Sequence, residues 1–209
     1  MRSPVESLVW RDRVFGIDNF KSVSDMVKRH GKTVLVWSDM FAKNPELIPK
    51  IPSGTIVVPW GYDATVYEPY WKPFADLPIP KFIATGVSIW NQVAPDFDLS
   101  FSNIDNFLRA GRQHGVLGMI NTLWTDDVNV LERPAFPGIA YGAVAAWQSE
   151  PVDRAQFFSN YAAQMYSTAV AAEIAPASSS SPRLKVIWRR RLAGRRCFGF
   201  GMIPFRRRA

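Results

Sequence analysis

Phe82-Ile83-Ala84-Thr85-Gly86-Val87-Ser88-Ile89 is apolar at almost every position, so it reads as a strand buried on both faces rather than one alternating toward solvent. Three similar runs flank it. Thr33-Val34-Leu35-Val36-Trp37 and Thr55-Ile56-Val57-Val58 come before, and Val116-Leu117-Gly118-Met119-Ile120-Asn121 comes after. Helical patterns lie between and around them, at 19–30, within 66–76, at 104–113 and at 139–147. Gly31 and Gly115 follow two of these helices, where a left-handed C-cap is wanted, and Asn103 stands where an N-cap is expected.

Strand and helix in alternation imply parallel strands joined by right-handed crossovers. A doubly wound sheet and a (β/α) barrel both satisfy that pattern. Each strand run ends in, or is followed by, a tryptophan: Trp37, Trp60, Trp90 and Trp124, at intervals of 23, 30 and 34 residues. An eight-unit barrel of about 250 residues allots roughly 31 residues to each unit, which suits the interval. Four units make half of such a barrel.

The tryptophans fall at the carboxyl ends of the strands, the face on which barrel enzymes carry their sites. Indole packs well against the apolar face of a pyranose, whose hydroxyls need polar neighbours. Such neighbours are present in Trp37-Ser38-Asp39, Trp60-Gly61-Tyr62-Asp63, Trp90-Asn91-Gln92 and Trp124-Thr125-Asp126-Asp127. A strand-end residue and the one two places on can reach the same side, so Trp37 with Asp39, and Trp124 with Asp126, can stack on a ring and accept its hydroxyls. Core packing explains a single strand-end tryptophan, and a helix N-cap explains a single aspartate. Four tryptophans in register favour a site.

The chain is 47% hydrophobic and 21% charged over 209 residues, which excludes disorder, collagen and coiled coil and suffices for a sizeable core. No window holds the roughly 18 apolar residues of a membrane span, and Glu6, Arg11 and Asp12 break up any signal-peptide core. A cytoplasmic protein is expected. The single Cys197 excludes an internal disulfide framework, and His30 and His114 are too few for a zinc centre or a Ser-His-Asp machine. No metal or cofactor is expected.

The net charge of +7 is unevenly placed. Residues 1–175 hold 15 Lys and Arg against 18 Asp and Glu, whereas 176–209 hold 10 basic residues and no acid. Pro176, the serines 178–181 and Pro182 read as a linker, which ends the folded body at 175 and leaves 183–209 as a disordered Arg-rich tail. Arg189-Arg190-Arg191, Arg195-Arg196 and Arg206-Arg207-Arg208 alternate with Trp188, Phe198, Phe200 and Phe205, a pattern able to bind single-stranded nucleic acid or an anionic membrane. Basic usage changes there too, since Lys supplies 7 of 15 basic residues before 176 and 1 of 10 after it. A shifted-frame extension explains that change better than a binding arm, so a nucleic-acid partner is not expected.

Between Asp18 and Trp147 the chain resembles the catalytic domain of family 20 glycoside hydrolases, the β-N-acetylhexosaminidases, and within them the hexosaminidase D-like branch. The resemblance rests on Val34-Leu35-Val36-Trp37-Ser38-Asp39-Met40, Trp60-Gly61-Tyr62, Asn103-Ile104 and the segment from Gly118 to Trp124-Thr125-Asp126. It implies the C-terminal half of a (β/α)8 barrel that hydrolyses terminal N-acetylglucosamine or N-acetylgalactosamine with retention, the substrate's acetamido oxygen acting as nucleophile. By position it implies Trp37, Trp90 and Trp124 as pocket walls and Asp126 as acceptor of sugar hydroxyls. Tyr62 matches the tyrosine that holds the acetamido group, with Trp60, Asp39 and Asp63 as further candidates.

The family's Asp-Glu pair orients the acetamido group and supplies the general acid. No Asp-Glu dipeptide occurs in these 209 residues, so no catalytic residue is assigned. Glu46, Glu68 and Glu132 read as surface residues, and His114 as a helix-end residue. Three functions follow as expectations: an inactive part of a hexosaminidase that needs a complementing N-terminal half or a second copy, an amino-sugar-binding remnant, and a nucleic-acid or anionic-membrane binder acting through the tail.

Overall fold

The apolar runs become four short strands. The computed structural model describes the backbone of residues 4–90, 94–125 and 132–178, and the side chains of 16–90, 94–125 and 132–174. Strand β1 (Leu35–Trp37) pairs with β2 (Ile56–Val58), and β3 (Phe82–Gly86) with β4 (Gly118–Thr122), both pairs parallel. Parallel bridges between Val57 and Lys81 and between Trp60 and Ala84 set β3 beside β2, so the strands lie in chain order. Each strand is shorter than its apolar run, and β4 ends one residue beyond its run. After Gly86, for example, Ser88 turns back to an antiparallel bridge with Asp96.

The helices are α1 (Pro4–Arg29), α2 (Asp39–Lys43), α3 (Glu68–Ala75), α4 (Phe97–Gln113) and α5 (Phe136–Trp147), with 3₁₀ turns at Pro45–Lys50 and Arg133–Ala135. The chain is therefore mixed α/β with small parallel sheets. Gly31 and Gly115 take φ of 67° and 64°, the left-handed caps their positions call for. Asn103 is not an N-cap. Asp96 caps α4 instead, its carboxylate accepting from Leu99 N at 3.0 Å, and Asn103 lies buried two turns inside the helix. The helix begins seven residues before 104 because Phe97, Phe101 and Ile104 are all buried along one face.

One side of the sheet is packed against helices. Val36 packs on the cluster of Ile17, Phe41, Leu47, Val57 and Phe74, and a Cβ on Gly111 of α4 would lie 3.1 Å from Ile83. Helix α5 sits close because it is glycine-notched. A Cβ at Gly138 would fall 2.6 Å from Val87 Cγ1, and one at Gly142 would strike the Asn121 amide. That amide donates to Gly138 O at 3.1 Å and accepts from the Thr85 hydroxyl at 3.0 Å. Tyr141, fully buried between the two glycines, stacks on Phe101 with centroids 3.7 Å apart and donates to Asp105 at 2.9 Å. The alternate residues of β1, Leu35 and Trp37, are 46% and 40% exposed.

The chain divides after Val152, and a second unit begins at Asp153. Its described part is α6 (Arg154–Met165), capped by Asp153 on Gln156 N at 2.9 Å, and α7 (Thr168–Ser178). Helix α7 runs through Pro176, so regular structure extends three residues into the expected linker. The tail, 183–209, lies outside the described residues. No described helix is long and apolar enough to cross a membrane.

Two stability measurements follow from this packing. Gly138→Ala should cost about 1–3 kcal/mol in urea unfolding, because Val87 is held in the core and has nowhere to yield; a neutral outcome would show that α5 is not seated there. Lys81 is buried, and that burial lowers its pKa, opposed by the Asp76 carboxylate. The folded state then binds the Lys81 proton less tightly than the unfolded state, so wild type should gain stability relative to Lys81→Met as pH rises toward the ordinary value of 10.5. A pH-independent difference would count against that burial cost.

Candidate functional site

Parallel direction carries the ends of all four strands to one end of the row. Trp37 closes β1, Trp60 stands two residues past β2 and is held by its bridge to Ala84, Trp90 follows β3, and Trp124 follows β4. Their rings meet. Trp37 and Trp124 have centroids 6.3 Å apart, Trp60 and Tyr62 stack at 5.3 Å, and Tyr62 and Trp90 lie at 5.4 Å. Tyr70, from α3, sets its edge against Trp60 at 4.7 Å and Tyr67 at 4.9 Å.

Hydrogen bonds tie these rings together. The Trp124 indole N–H donates to the Tyr62 hydroxyl at 2.7 Å, and the Trp60 indole N–H donates to Asp39 Oδ1 at 3.3 Å. The Tyr62 oxygen accepts in the bond from Trp124, and a phenol also carries one O–H donor. Lys43, one turn beyond Asp39 on α2, places Nζ 5.7 Å from the centre of the Tyr70 ring. A hydrogen bond with Tyr70 raises the Lys43 pKa, with Asp39 adding to the effect, so the ammonium stays charged at neutral pH. Trp37 and Trp124 are 40% and 39% exposed.

Six of the seven residues expected at the site converge: Trp37, Asp39, Trp60, Tyr62, Trp90 and Trp124. Asp126 lies outside the described residues, with Asn91, Gln92 and Asp127. Asp63 is exposed, and its backbone carbonyl rather than its carboxylate is the atom held, by the Asn103 amide at 2.7 Å. Tyr67, Tyr70 and Lys43 join the site without having been singled out in the sequence. The spacing of Tyr67 and Tyr70, three apart at the start of a helix, is the signal that marks them.

Glu46, Glu68 and Glu132 are exposed in the first turns of, or just ahead of, their helices. His114 caps α4 and meets Asp76 at 3.0 Å. Among the described residues no cluster of His, Cys, Asp and Glu is placed to hold a metal ion. A cavity of about 240 Å³ opens away from the aromatic rings, lined by Asp105, Arg109, Arg112 and Glu150 among others. Its charges are mixed, and Arg112 is committed to the carbonyls of Ala145, Ala146 and Gln148 at the end of α5. The aromatic rim is therefore the stronger candidate. No family model matches the chain, and no curated protein matches it.

Tyr62→Phe keeps the ring contacts and removes only the acceptor for Trp124. It should cost about 0.5–1.5 kcal/mol in wild type and close to nothing in a Trp124→Phe background, as measured by a double-mutant unfolding cycle. Additive costs would show that the two side chains do not interact.

Proposed function

We propose that this chain carries four consecutive units of a (β/α)8 glycosidase barrel similar to the family 20 hexosaminidases, and that its aromatic rim binds terminal N-acetylglucosamine or N-acetylgalactosamine. One observation carries the proposal: the rings of Trp37 and Trp124 meet although one closes β1 and the other lies two residues past the end of β4. Strands about 4.8 Å apart would place β1 and β4 roughly 14 Å from each other in a flat sheet. A 6.3 Å ring separation is met where the row curls or where the indoles lean toward each other, and curling is what a barrel supplies. The unbroken strand order supports a barrel over a doubly wound sheet, whose order reverses at its switch point.

The exposed indole faces suit the apolar side of a pyranose, and the Tyr62 hydroxyl suits an amide carbonyl. Hydrolysis with retention needs a general acid and an acetamido-orienting carboxylate, and the chain contains no Asp-Glu pair to supply them. Recognition without cleavage is the activity assigned to the chain by itself, cleavage requiring carboxylates from another polypeptide segment.

Titration with N-acetylglucosamine should change the tryptophan fluorescence of the purified chain, and Trp124→Ala should abolish that change. The same protein should release no nitrophenol from a nitrophenyl N-acetylglucosaminide. An unresponsive wild type would remove the binding proposal, and turnover above a blank would remove the claim that the chain lacks a catalytic acid.

A further inference from the structure

Helix α4 carries an asparagine that gives the helix nothing. Asn103 is 1% exposed in its interior, where asparagine is a poor helix former and an unbonded amide would be costly. Its bonds leave the helix altogether. Nδ2 donates to Gly61 O at 2.8 Å and Asp63 O at 2.7 Å, and Oδ1 accepts from Gly86 N at 3.1 Å. One turn on, Asn106 Nδ2 donates to Ala64 O at 2.8 Å.

The three carbonyls so held straddle Tyr62. Gly86, the third partner of Asn103, lies directly beneath the Tyr62 ring, and a Cβ there would fall 2.6 Å from Tyr62 Cδ1. Two amides thus fix the backbone on either side of Tyr62 while one of them also fixes the floor under its ring. The only freedom left to the phenol is rotation about its own side-chain bonds, and the Trp124 indole occupies its oxygen at 2.7 Å.

We infer that Asn103 and Asn106 are positioning residues that clamp the 61–64 segment onto α4, and that this clamp sets the Tyr62–Trp124 hydrogen bond and through it the ligand affinity of the aromatic rim. The affinity half rests on the amino-sugar proposal above; the geometric half does not. Asn103→Asp preserves size and the acceptor for Gly86 N but turns a carboxylate toward two carbonyl oxygens. Asn106→Ala releases only Ala64.

The test is the indole N–H resonance of Trp124 in 1H–15N spectra of the full chain, assigned by its loss in Trp124→Phe. Asn103→Asp should shift that resonance toward the position of a non-bonded indole and weaken N-acetylglucosamine binding about fivefold or more, the equivalent of one hydrogen bond. Asn106→Ala should shift it less and in the same direction, and decides the matter if Asn103→Asp does not fold. Leu47→Ala, in the cluster on the helix side of the sheet, should lower the melting temperature and leave the resonance in place. An indole signal unmoved by both asparagine variants, or moved equally by Leu47→Ala, overturns the clamp. A shifted indole in a protein whose wild type binds no sugar upholds the clamp and overturns the amino-sugar proposal instead. Sugar binding that survives Asn103→Asp unweakened overturns the affinity half.

Discussion

Parallel pairing of the four strands is the constraint from which the rim follows. An antiparallel neighbour would send its strand-end tryptophan to the opposite end of the sheet, and the four indoles would never meet. Parallel strands need crossovers, and the crossovers place helices on the side that receives Val36, Val57 and Ile83. The close seating of α5 depends on Gly138 and Gly142, and that of α4 on Gly111. The tryptophans are then gathered at one end of the row, where Trp37 and Trp124 stay 40% and 39% exposed.

Continuous apolar runs made the strands legible, and Gly31 and Gly115 marked helix ends because only a left-handed residue closes those turns cheaply. The register of tryptophan after strand was also visible in the sequence, and it located the six rim residues that the structure brings together. What stayed hidden had a common cause. Asn103 looks like an N-cap because local sequence offers a hydroxyl- or amide-bearing residue ahead of an apolar stretch, yet its partners are Gly61, Asp63 and Gly86, 17 to 42 residues away. The segment from Asp39 to Lys50 hid its helix and 3₁₀ turn because Pro45 and Pro49 break the helical period. Tyr70 needed the packing of α3 against the strand ends before it became part of the rim.

The polar groups of the rim are largely spent on one another. The Trp60 indole takes Asp39, the Trp124 indole takes Tyr62, and Lys43 leans over Tyr70. Such mutual satisfaction holds the rings in fixed relation to one another. It also limits the chemistry. A general acid must hold a proton at the leaving oxygen, and Asp39, the carboxylate bonded to the rim among the described residues, accepts an indole hydrogen. The Tyr62 hydroxyl, which accepts from Trp124, also carries an O–H donor.

Ring-to-ring contacts set the scale of any recognition. Each aromatic pair contributes about 0.5–1.5 kcal/mol, so a sugar that had to wedge between Trp60 and Tyr62, or between Tyr62 and Trp90, would first have to replace those contacts. The outer faces of Trp37 and Trp124 need no such exchange, being 40% and 39% exposed already. On the amino-sugar proposal a pyranose stacks on one of these indoles, their planes being inclined at 57°, and leaves the Trp124–Tyr62 bond unbroken. On the same proposal the rim is a preformed wall, in which Trp60 and Trp90 pack against the Tyr62 ring and so hold the hydroxyl that meets the acetamide.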